Sequence, residues 1–198
     1  MTLHADAVRT LTAWTAPEPD ARGQGAPGQG ASGQGALREA FLGFLAARPD
    51  AMARSCAPGH LTASTVVLDA TLSRVLLTLH PRVGRWLQLG GHCEDDASLA
   101  GAALREALEE SGIPDIRVDP VPVHLDVHPI TCSLGIPTRH FDVRYVAVAP
   151  AGAEPVRSSE STDLRWWPTG GLPDGGGDIA DVVAAAVARA TRADRLAR

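Results

Sequence analysis

The feature of this sequence that most limits its fold is one short helix with clear signals at both ends, within residues 90–113, GGHCEDDASLAGAALREALEESGI. Asp95, Asp96 and Ser98 are residue types that accept hydrogen bonds from the free N–H groups of a helix N-terminus. Gly112 suits the left-handed backbone that ends a helix. A helix this short is stable only when it packs on other elements, so the rest of the fold must provide a surface for it.

The helix has two chemically different faces. Small and aliphatic side chains predict the face that packs on the protein: Ala100, Ala103, Leu104 and Leu108. Three glutamates at positions i, i+3 and i+4 converge on one side: Glu106, Glu109 and Glu110. Carboxylates one turn apart repel each other by roughly 0.2–0.5 kcal/mol per pair unless a positive group lies between them. That group is either the neighbouring Arg105 or a divalent cation, and the alternative is a face that water solvates.

Segments with the pattern of β-strands lie on both sides of this helix, at residues 61–70, 74–80, 118–130, 139–150 and 162–168. The first two predict a hairpin that turns between Asp69 and Ser73. An alanine-rich helix is predicted over residues 178–197. The order of elements is α, β, β, loop, α, β, β, β, α, which predicts an α/β fold with a mixed sheet flanked by helices.

The N-terminal part of the chain differs in composition from the rest. Residues 23–36 repeat a GQGA unit with almost nothing to bury, which predicts a flexible linker. Residues 3–15 before it predict a short helix that either docks on the main body or frays. Residues 37–50 have a helical apolar stripe that is stopped by Pro49. We therefore predict an appendage over residues 1–36 and one domain over residues 37–198.

Composition excludes several classes of protein. The net charge is −5 and no residue is a lysine, which argues against a dedicated nucleic-acid binder because phosphate neutralisation needs clustered basic surface. Cys56, Cys93 and Cys132 form no closely spaced pair, so neither a disulfide framework nor a zinc ribbon is indicated. No apolar run is long enough to span a membrane, and no leader is recognisable. The expected location is the cytoplasm.

The acidic helix resembles the Nudix box, Gx5Ex7REUxEExGU, in which U is a bulky aliphatic residue. Seven specified positions match: Gly91, Arg105, Glu106, Glu109, Glu110, Gly112 and Ile113. Ala97 stands at the first glutamate of the box and Ala107 at its first aliphatic position. Glu94 and Asp96 in the same loop are the candidates to replace the missing carboxylate. The resemblance extends over residues 61–167 and implies a Nudix-type α/β/α sandwich around a mixed β-sheet.

The resemblance also implies chemistry. Most members of the Nudix family, which this sequence resembles, hydrolyse a nucleoside diphosphate linked to another moiety, X, with Mg²⁺ or Mn²⁺. By the family's pattern, Glu106, Glu109, Glu110 and the Gly90 carbonyl would hold the metal, and Arg105 would orient the carboxylates. The general base would come from the box, where Glu109 is a candidate, or from a later loop, where Glu160 is. The implied partner is a phosphorylated small molecule, with a homodimer possible.

Polar side chains alternate with apolar ones on the two strands after the box: His124, Asp126 and His128 on one, His140, Asp142 and Arg144 on the other. If the two strands pair antiparallel, these side chains share one face. That face either lines the substrate pocket, binds a transition metal, or faces solvent. The candidate substrate-binding residues are His92, Arg85, Trp86, His140 and Asp142.

Two other functions remain open. Ala97 favours a catalytically weakened Nudix module that binds or regulates. Isomerisation of an allylic diphosphate on the same fold has only the lone Cys132 in its favour. No set of residues in the sequence identifies X.

Overall fold

The computed structural model describes residues 1–16, 31–131, 135, 137–159, 161–174 and 179–197. The helices are α1 (Leu3–Ala13), α2 (Ala31–Ala47), α3 (Leu99–Ser111) and α4 (Ile179–Ala197). The strands are β1 (His60–Leu68), β2 (Arg74–His80), β3 (Arg85–Leu87), β4 (Leu89–His92), β5 (Arg117–Val118), β6 (His124–Thr131), β7 (Pro137–Val148) and β8 (Asp163–Pro168). The predicted hairpin is confirmed as β1 and β2, and the predicted terminal helix as α4.

Strand β1 organises the sheet. One of its edges pairs in parallel with β7 along its whole length. The other edge is divided between two antiparallel partners, β4 along Thr62–Thr65 and β2 at Val67 and Leu68. The main path of the sheet is β3-β2-β1-β7-β5, with β8 on β2 and β6 on β7. Strands β2 and β4 therefore pair with different halves of this edge of β1, and we call the place where they separate the opening of the sheet.

Helices cover both faces of this mixed sheet. Successive side chains of a strand point to opposite faces, and in β1 Val66 and Leu68 pack with α4, whereas Val67 packs with Ala107 of α3. This is the predicted α/β/α sandwich. Cys56 and Cys93 are free thiols, and no helix in the described ranges is both long and apolar enough to cross a membrane.

Helix α2 corrects one boundary. It begins at Ala31, six residues before the predicted start at Leu37, so residues 31–36 are helical although their composition predicts a linker. The reason is Gln34, whose buried side chain donates to the Leu125 carbonyl oxygen at 3.0 Å and accepts from the Leu125 N–H at 2.8 Å. These contacts with β6 compensate for the low apolar content. Residues 17–30 lie outside the described part of the chain.

Helix α1 docks on the main body. Its Ala7 and Leu11, together with Trp14 just after it, are buried in the cluster that also contains β1, β7 and α3. The Trp14 indole N–H donates to the Pro122 carbonyl oxygen at 2.6 Å. The buried Asp6 accepts a hydrogen bond from the Leu99 N–H at 2.9 Å, at the first residue of α3. The N-terminal helix thus holds the start of the acidic helix.

The contact between Asp6 and α3 predicts a measurable loss of stability. Asp6→Ala should lower the free energy of unfolding by about 1–3 kcal/mol, because it leaves the buried Leu99 N–H without an acceptor. Urea denaturation followed by circular dichroism measures this change. Asp6→Asn keeps an acceptor oxygen and is the matched control. Equal stability of Asp6→Ala and the unmodified chain would show that α1 does not hold α3.

Candidate functional site

Both predicted ends of the acidic helix α3 are confirmed. The Ser98 Oγ accepts from the Gly101 N–H at 3.0 Å, and Gly112 ends the helix with a φ of 62°. The packed face agrees with the prediction in part: Ala103 is buried, and Ala100 and Leu104 pack against buried clusters, whereas Leu108 is exposed. The helix lies so close to β1 that the Thr65 hydroxyl donates to the Ala103 carbonyl oxygen at 2.9 Å, and alanines fit that approach better than leucines.

Arg105 is the positive centre of the acidic cluster. One terminal nitrogen donates to Glu106 at 3.0 Å and to Glu109 at 3.1 Å, and the other donates to the His92 carbonyl oxygen at 2.9 Å. Burial by itself lowers the pKa of Arg105, but its hydrogen bonds to Asp96 and the charge of Glu106 raise it overall. The guanidinium therefore stays charged and fixes the carboxylates around it.

Asp96 contacts the arginine beside the position where the box glutamate is missing. Its two carboxylate oxygens accept from Arg105 at 3.3 and 3.1 Å, and its side chain is 11% exposed. Ala97 itself is exposed. Of the two candidates for a replacement carboxylate, Asp96 makes this contact with Arg105, and Glu94 lines the adjacent cavity.

Two glycines allow β4 to lie against the glutamates. The Gly90 N–H donates to a Glu110 carboxylate oxygen at 3.0 Å. A side chain at Gly91 would place its Cβ only 2.6 Å from the Glu106 Oε1, so Glu106 fills the space that glycine leaves. Gly90 has a φ of 154°, and a Cβ there would lie 2.5 Å from the Ser64 Cα. Only glycine fits both requirements at this position.

The three glutamates line one wall of a cavity of about 860 Å³ at the opening of the sheet. Glu106 and Glu110 are each 9% exposed, and Glu109 lies towards solvent. A volume of this size is within the range of about 300–1,000 Å³ that is usual for small-molecule sites. The cavity therefore has room for a nucleotide-sized ligand beside the glutamates.

The floor of the cavity is a polar patch across three neighbouring strands. Strands β6 and β7 pair antiparallel, which is the condition for a shared polar face, and this pairing places His124, Asp126 and His128 opposite Arg144, Asp142 and His140. The parallel register of β1 and β7 adds three more residues, with His60, Thr62 and Ser64 beside His140, Asp142 and Arg144. Five residues of the face on β6 and β7 line the cavity: Asp126, His128, His140, Asp142 and Arg144.

Asp142 and Arg144 form a buried hub in this floor. Both are 4% exposed, and the Arg144 Nε donates to Asp142 at 3.0 Å. The Asp142 carboxylate also accepts from the hydroxyls of Thr62 at 3.1 Å and Ser64 at 2.8 Å. Arg144 donates to Asp126 at 3.0 Å as well. Asp142 therefore positions Thr62, Ser64 and Arg144. Of the ion pair, Arg144 is the member whose positive charge suits a phosphate.

The hub also affects Asp126 and His128. Burial by itself raises the pKa of Asp126, but the hydrogen bond with His128 and the charge of Arg144 lower it overall. The same 2.6 Å hydrogen bond raises the pKa of His128. Asp126 and His128 of this face therefore bind each other and belong to the same hub.

The predicted substrate-binding residues separate into two groups. His92, Arg85, His140 and Asp142 line the cavity. Trp86 is not among the residues that line the described cavity. Strand alternation explains this, because Arg85 and Leu87 point to the cavity and Trp86 points to the other side. There its ring contacts Trp167 edge to face, with centroids 5.3 Å apart, in the cluster under α4.

Some predicted residues fall elsewhere. Glu160 and Cys132 lie outside the described residues. His124 is buried beside Gln34, with 3.1 Å between their side-chain nitrogens, and does not line the described cavity. Thr62, Ser64 and Gln88 were not predicted, although all three contact Asp142 or its partners. The alternation of polar side chains in residues 60–64 was the available signal, but which strand lies beside them depends on the topology.

Known proteins with similar sequence are Nudix proteins. The family model described as "NUDIX domain" matches residues 58–191. The zebrafish (Danio rerio) m7GpppN-mRNA hydrolase NUDT17 is 34% identical over 91 residues, which cover 41% of this chain and 30% of that protein. The bovine (Bos taurus) m7GpppN-mRNA hydrolase NUDT17 is 33% identical over 133 residues, 61% of this chain and 42% of that protein. The chain thus spans less than half the length of both relatives.

Solved structures show the same fold. The E. coli dihydroneopterin triphosphate pyrophosphohydrolase superposes with a TM-score of 0.52 and 16% sequence identity, over 65% of this chain and 95% of that chain. At this level of identity the likeness concerns the arrangement of helices and strands. It agrees with the sandwich in which α3 and β4 lie beside the cavity.

Proposed function

We propose that this chain, which belongs to the Nudix family, is a metal-dependent pyrophosphohydrolase that cleaves a diphosphate bond in a nucleoside diphosphate linked to X. The observation that carries the proposal is the glutamate wall, the side of the nucleotide-sized cavity that Glu106, Glu109 and Glu110 line. Arg105 donates to Glu106 and Glu109 in this wall. Such an excess of carboxylates beside a cavity favours a bound cation.

The donor set fits Mg²⁺ or Mn²⁺. Hard divalent cations take oxygen ligands, and Mg²⁺ in particular binds a few carboxylates together with substrate phosphates. Glu106, Glu109 and Glu110 would hold the metal with the carbonyl of Gly90, and Gly91 leaves room for the Glu106 carboxylate. When bound, the metal neutralises charge on the diphosphate and lowers the pKa of a bound water.

The residues of the chain have separate tasks in this mechanism. Arg105 keeps Glu106 and Glu109 in place through its two hydrogen bonds. Arg144 and Arg85 line the cavity and are cations that would bind substrate phosphates, while His92 and His140 line the same cavity and would face the substrate. Either Glu109 or Glu160 would accept the proton of the attacking water, and Ser159, next to Glu160 in sequence, lines the cavity.

A substrate screen tests the proposal directly. Purified chain is incubated with a panel of nucleoside triphosphates, dinucleoside polyphosphates, nucleotide sugars and an m7GpppN cap analogue, in Mg²⁺ or Mn²⁺. Inorganic phosphate is measured after a coupling phosphatase, with and without a chelator. We expect chelator-sensitive release from at least one class of substrate. No release from any member with either metal would contradict the proposal.

One observation favours a second function, a nucleotide-binding module with little or no turnover. Ala97 removes a carboxylate of the box, and the Asp96 carboxylate that contacts Arg105 is already committed to that ion pair. Titration calorimetry with Mg²⁺ and the same panel separates the two functions. Ligand binding without product would support the module, whereas binding with product supports the hydrolase.

The two glycines predict different outcomes for the same substitution. Gly91→Ala should preserve the fold and lower kcat by up to about a hundredfold, because the new methyl displaces the flexible end of Glu106. Gly90→Ala should destabilise the fold itself, because the new methyl meets backbone atoms of β1 and φ is positive. Steady-state kinetics and thermal unfolding of both variants measure this contrast. Full activity of Gly91→Ala would show that Glu106 is not a ligand in the proposed metal site.

A further inference from the structure

Three histidines from different strands meet at the edge of the cavity floor. His60 is the first residue of β1, His92 the last of β4, and His140 lies beside His60 on β7. One ring nitrogen from each side chain lies within 4.8 Å of the other two. The ring centroids are 4.9–5.1 Å apart. We call these three residues the histidine cluster.

Two members of this cluster, His60 and His140, have buried ring nitrogens without a described hydrogen-bond partner. His60 is 1% exposed, and neither of its ring nitrogens has a partner among the described residues. The Nε2 of His140 is buried and also lacks a described partner. A buried polar group without a partner costs about 1–3 kcal/mol, so native proteins rarely leave such groups unsatisfied. A metal ion that accepts one lone pair from each imidazole would satisfy one nitrogen in each ring and so remove part of this cost.

The protonation state of the cluster suits metal binding. Burial and the neighbouring imidazoles lower the pKa of His140 to about 3. Burial also lowers the pKa of His60, and the Cys56 backbone offsets this effect in part without reaching hydrogen-bond geometry. At neutral pH these two rings are therefore uncharged, and a neutral imidazole offers a lone pair to a metal ion.

We propose that His60, His92 and His140 bind one divalent transition-metal ion of the Zn²⁺ class, at a site separate from the glutamate wall. Imidazole nitrogens suit Zn²⁺ and related ions, whereas Mg²⁺ and Mn²⁺ prefer oxygen. Tetrahedral coordination at about 2.0–2.1 Å places ligand nitrogens about 3.4 Å apart, so these nitrogens would have to approach each other by up to about 1.5 Å when the ion binds. The two kinds of site thus select different metals.

The fourth coordination position of the proposed ion would face the cavity. His92 and His140 line the cavity, whereas His60 lies behind them and is not part of the described lining. Sites with three histidine ligands and an open position commonly bind water or a substrate oxygen. The ion would therefore place a second cation next to the space that the substrate phosphates occupy.

Cobalt(II) is the probe for this site. Tetrahedral Co²⁺ with imidazole ligands absorbs much more strongly in the visible range than Co²⁺ surrounded by oxygen ligands. The Glu110→Gln variant is titrated with Co²⁺ and, by calorimetry, with Zn²⁺, so that binding at the glutamate wall is weakened. We expect one equivalent of Co²⁺ with the strong absorption, and competition by Zn²⁺. The absence of this absorption in a folded protein would overturn the proposal.

Further substitutions locate the ligands. His60→Leu and His140→Gln, each in the same background, should lose the strong absorption and bind Zn²⁺ at least about tenfold more weakly. His4→Asn is the matched control, since His4 contacts the Leu45 carbonyl in the N-terminal region and should leave both signals unchanged. Circular dichroism establishes that each variant is folded. A folded His60→Leu or His140→Gln variant that keeps the absorption and the affinity would overturn the proposal. The titration of the background protein decides the matter if either variant does not fold.

Discussion

Replacing Glu110 by glutamine is expected to lower kcat by about a hundredfold or more while the chain stays folded. The change removes a ligand charge from the proposed metal site, where a cation supplies several kcal/mol of transition-state stabilisation, and each 1.36 kcal/mol corresponds to about tenfold in rate. Glutamine keeps an oxygen that can accept the Gly90 N–H, so the local shape is preserved. Steady-state kinetics on the best substrate from the screen measures the effect.

A control variant and a metal titration make this result specific. Glu39→Gln changes an exposed glutamate on α2 that pairs only with its neighbour Arg38 in the described structure, and it should leave kcat unchanged. A Mg²⁺ titration of Glu110→Gln should show a higher metal requirement. If Glu110→Gln turns over substrate at the rate of the unmodified chain, Glu110 is not a metal ligand. The position of the metal would then have to be sought elsewhere along the cavity.

Asp142→Ala is expected to lower the free energy of unfolding by about 3 kcal/mol. Removal of one partner from a buried ion pair leaves the other charge poorly compensated, and Arg144 is 4% exposed. The loss also leaves the hydroxyls of Thr62 and Ser64 without their acceptor. Urea denaturation at neutral pH measures the change. Because Asp126 still contacts Arg144, the loss should be smaller than that for a fully isolated buried charge.

The conservative variant separates charge from shape at this hub. Asp142→Asn keeps an acceptor oxygen but removes the charge, and it should fall between the unmodified chain and Asp142→Ala. Glu39→Ala removes an exposed pair and serves as the surface control, with a change much smaller than that of Asp142→Ala. Unchanged stability in Asp142→Ala would show that the hub does not contribute to the fold and that Arg144 finds sufficient partners elsewhere.

Predictions from local pattern agree well with the structure. The ends of α3 at Ser98 and Gly112 were predictable because a capping residue acts on backbone groups within a few residues of itself. Alternation predicted that the polar side chains of β6 and β7 would share one face if the two strands paired antiparallel, and the structure meets that condition. The start of α2 was not predictable, because Gln34 is held by Leu125 of β6, which lies 91 residues further along the chain.

The candidate site shows the same division. The sequence by itself determined the three glutamates, their arginine and the two glycines, since helical spacing brings Arg105, Glu106 and Glu109 together without help from the rest of the chain. The roles of these residues and of Glu160 stay predictions, as does the division of the chain into an appendage and one domain.

Only the tertiary structure decided which residues join them. Asp96 contacts Arg105 because the loop before α3 folds back on the helix. Trp86 packs against Trp167, because alternation along β3 places its side chain on the side away from the cavity. His60 stands next to His140 because β1 and β7 run in parallel with this register, which nothing near either residue in the sequence specifies. Local interactions determine α3 and the positions of its charged side chains, whereas contacts between distant segments bring together the β1, β6 and β7 residues of the cavity floor.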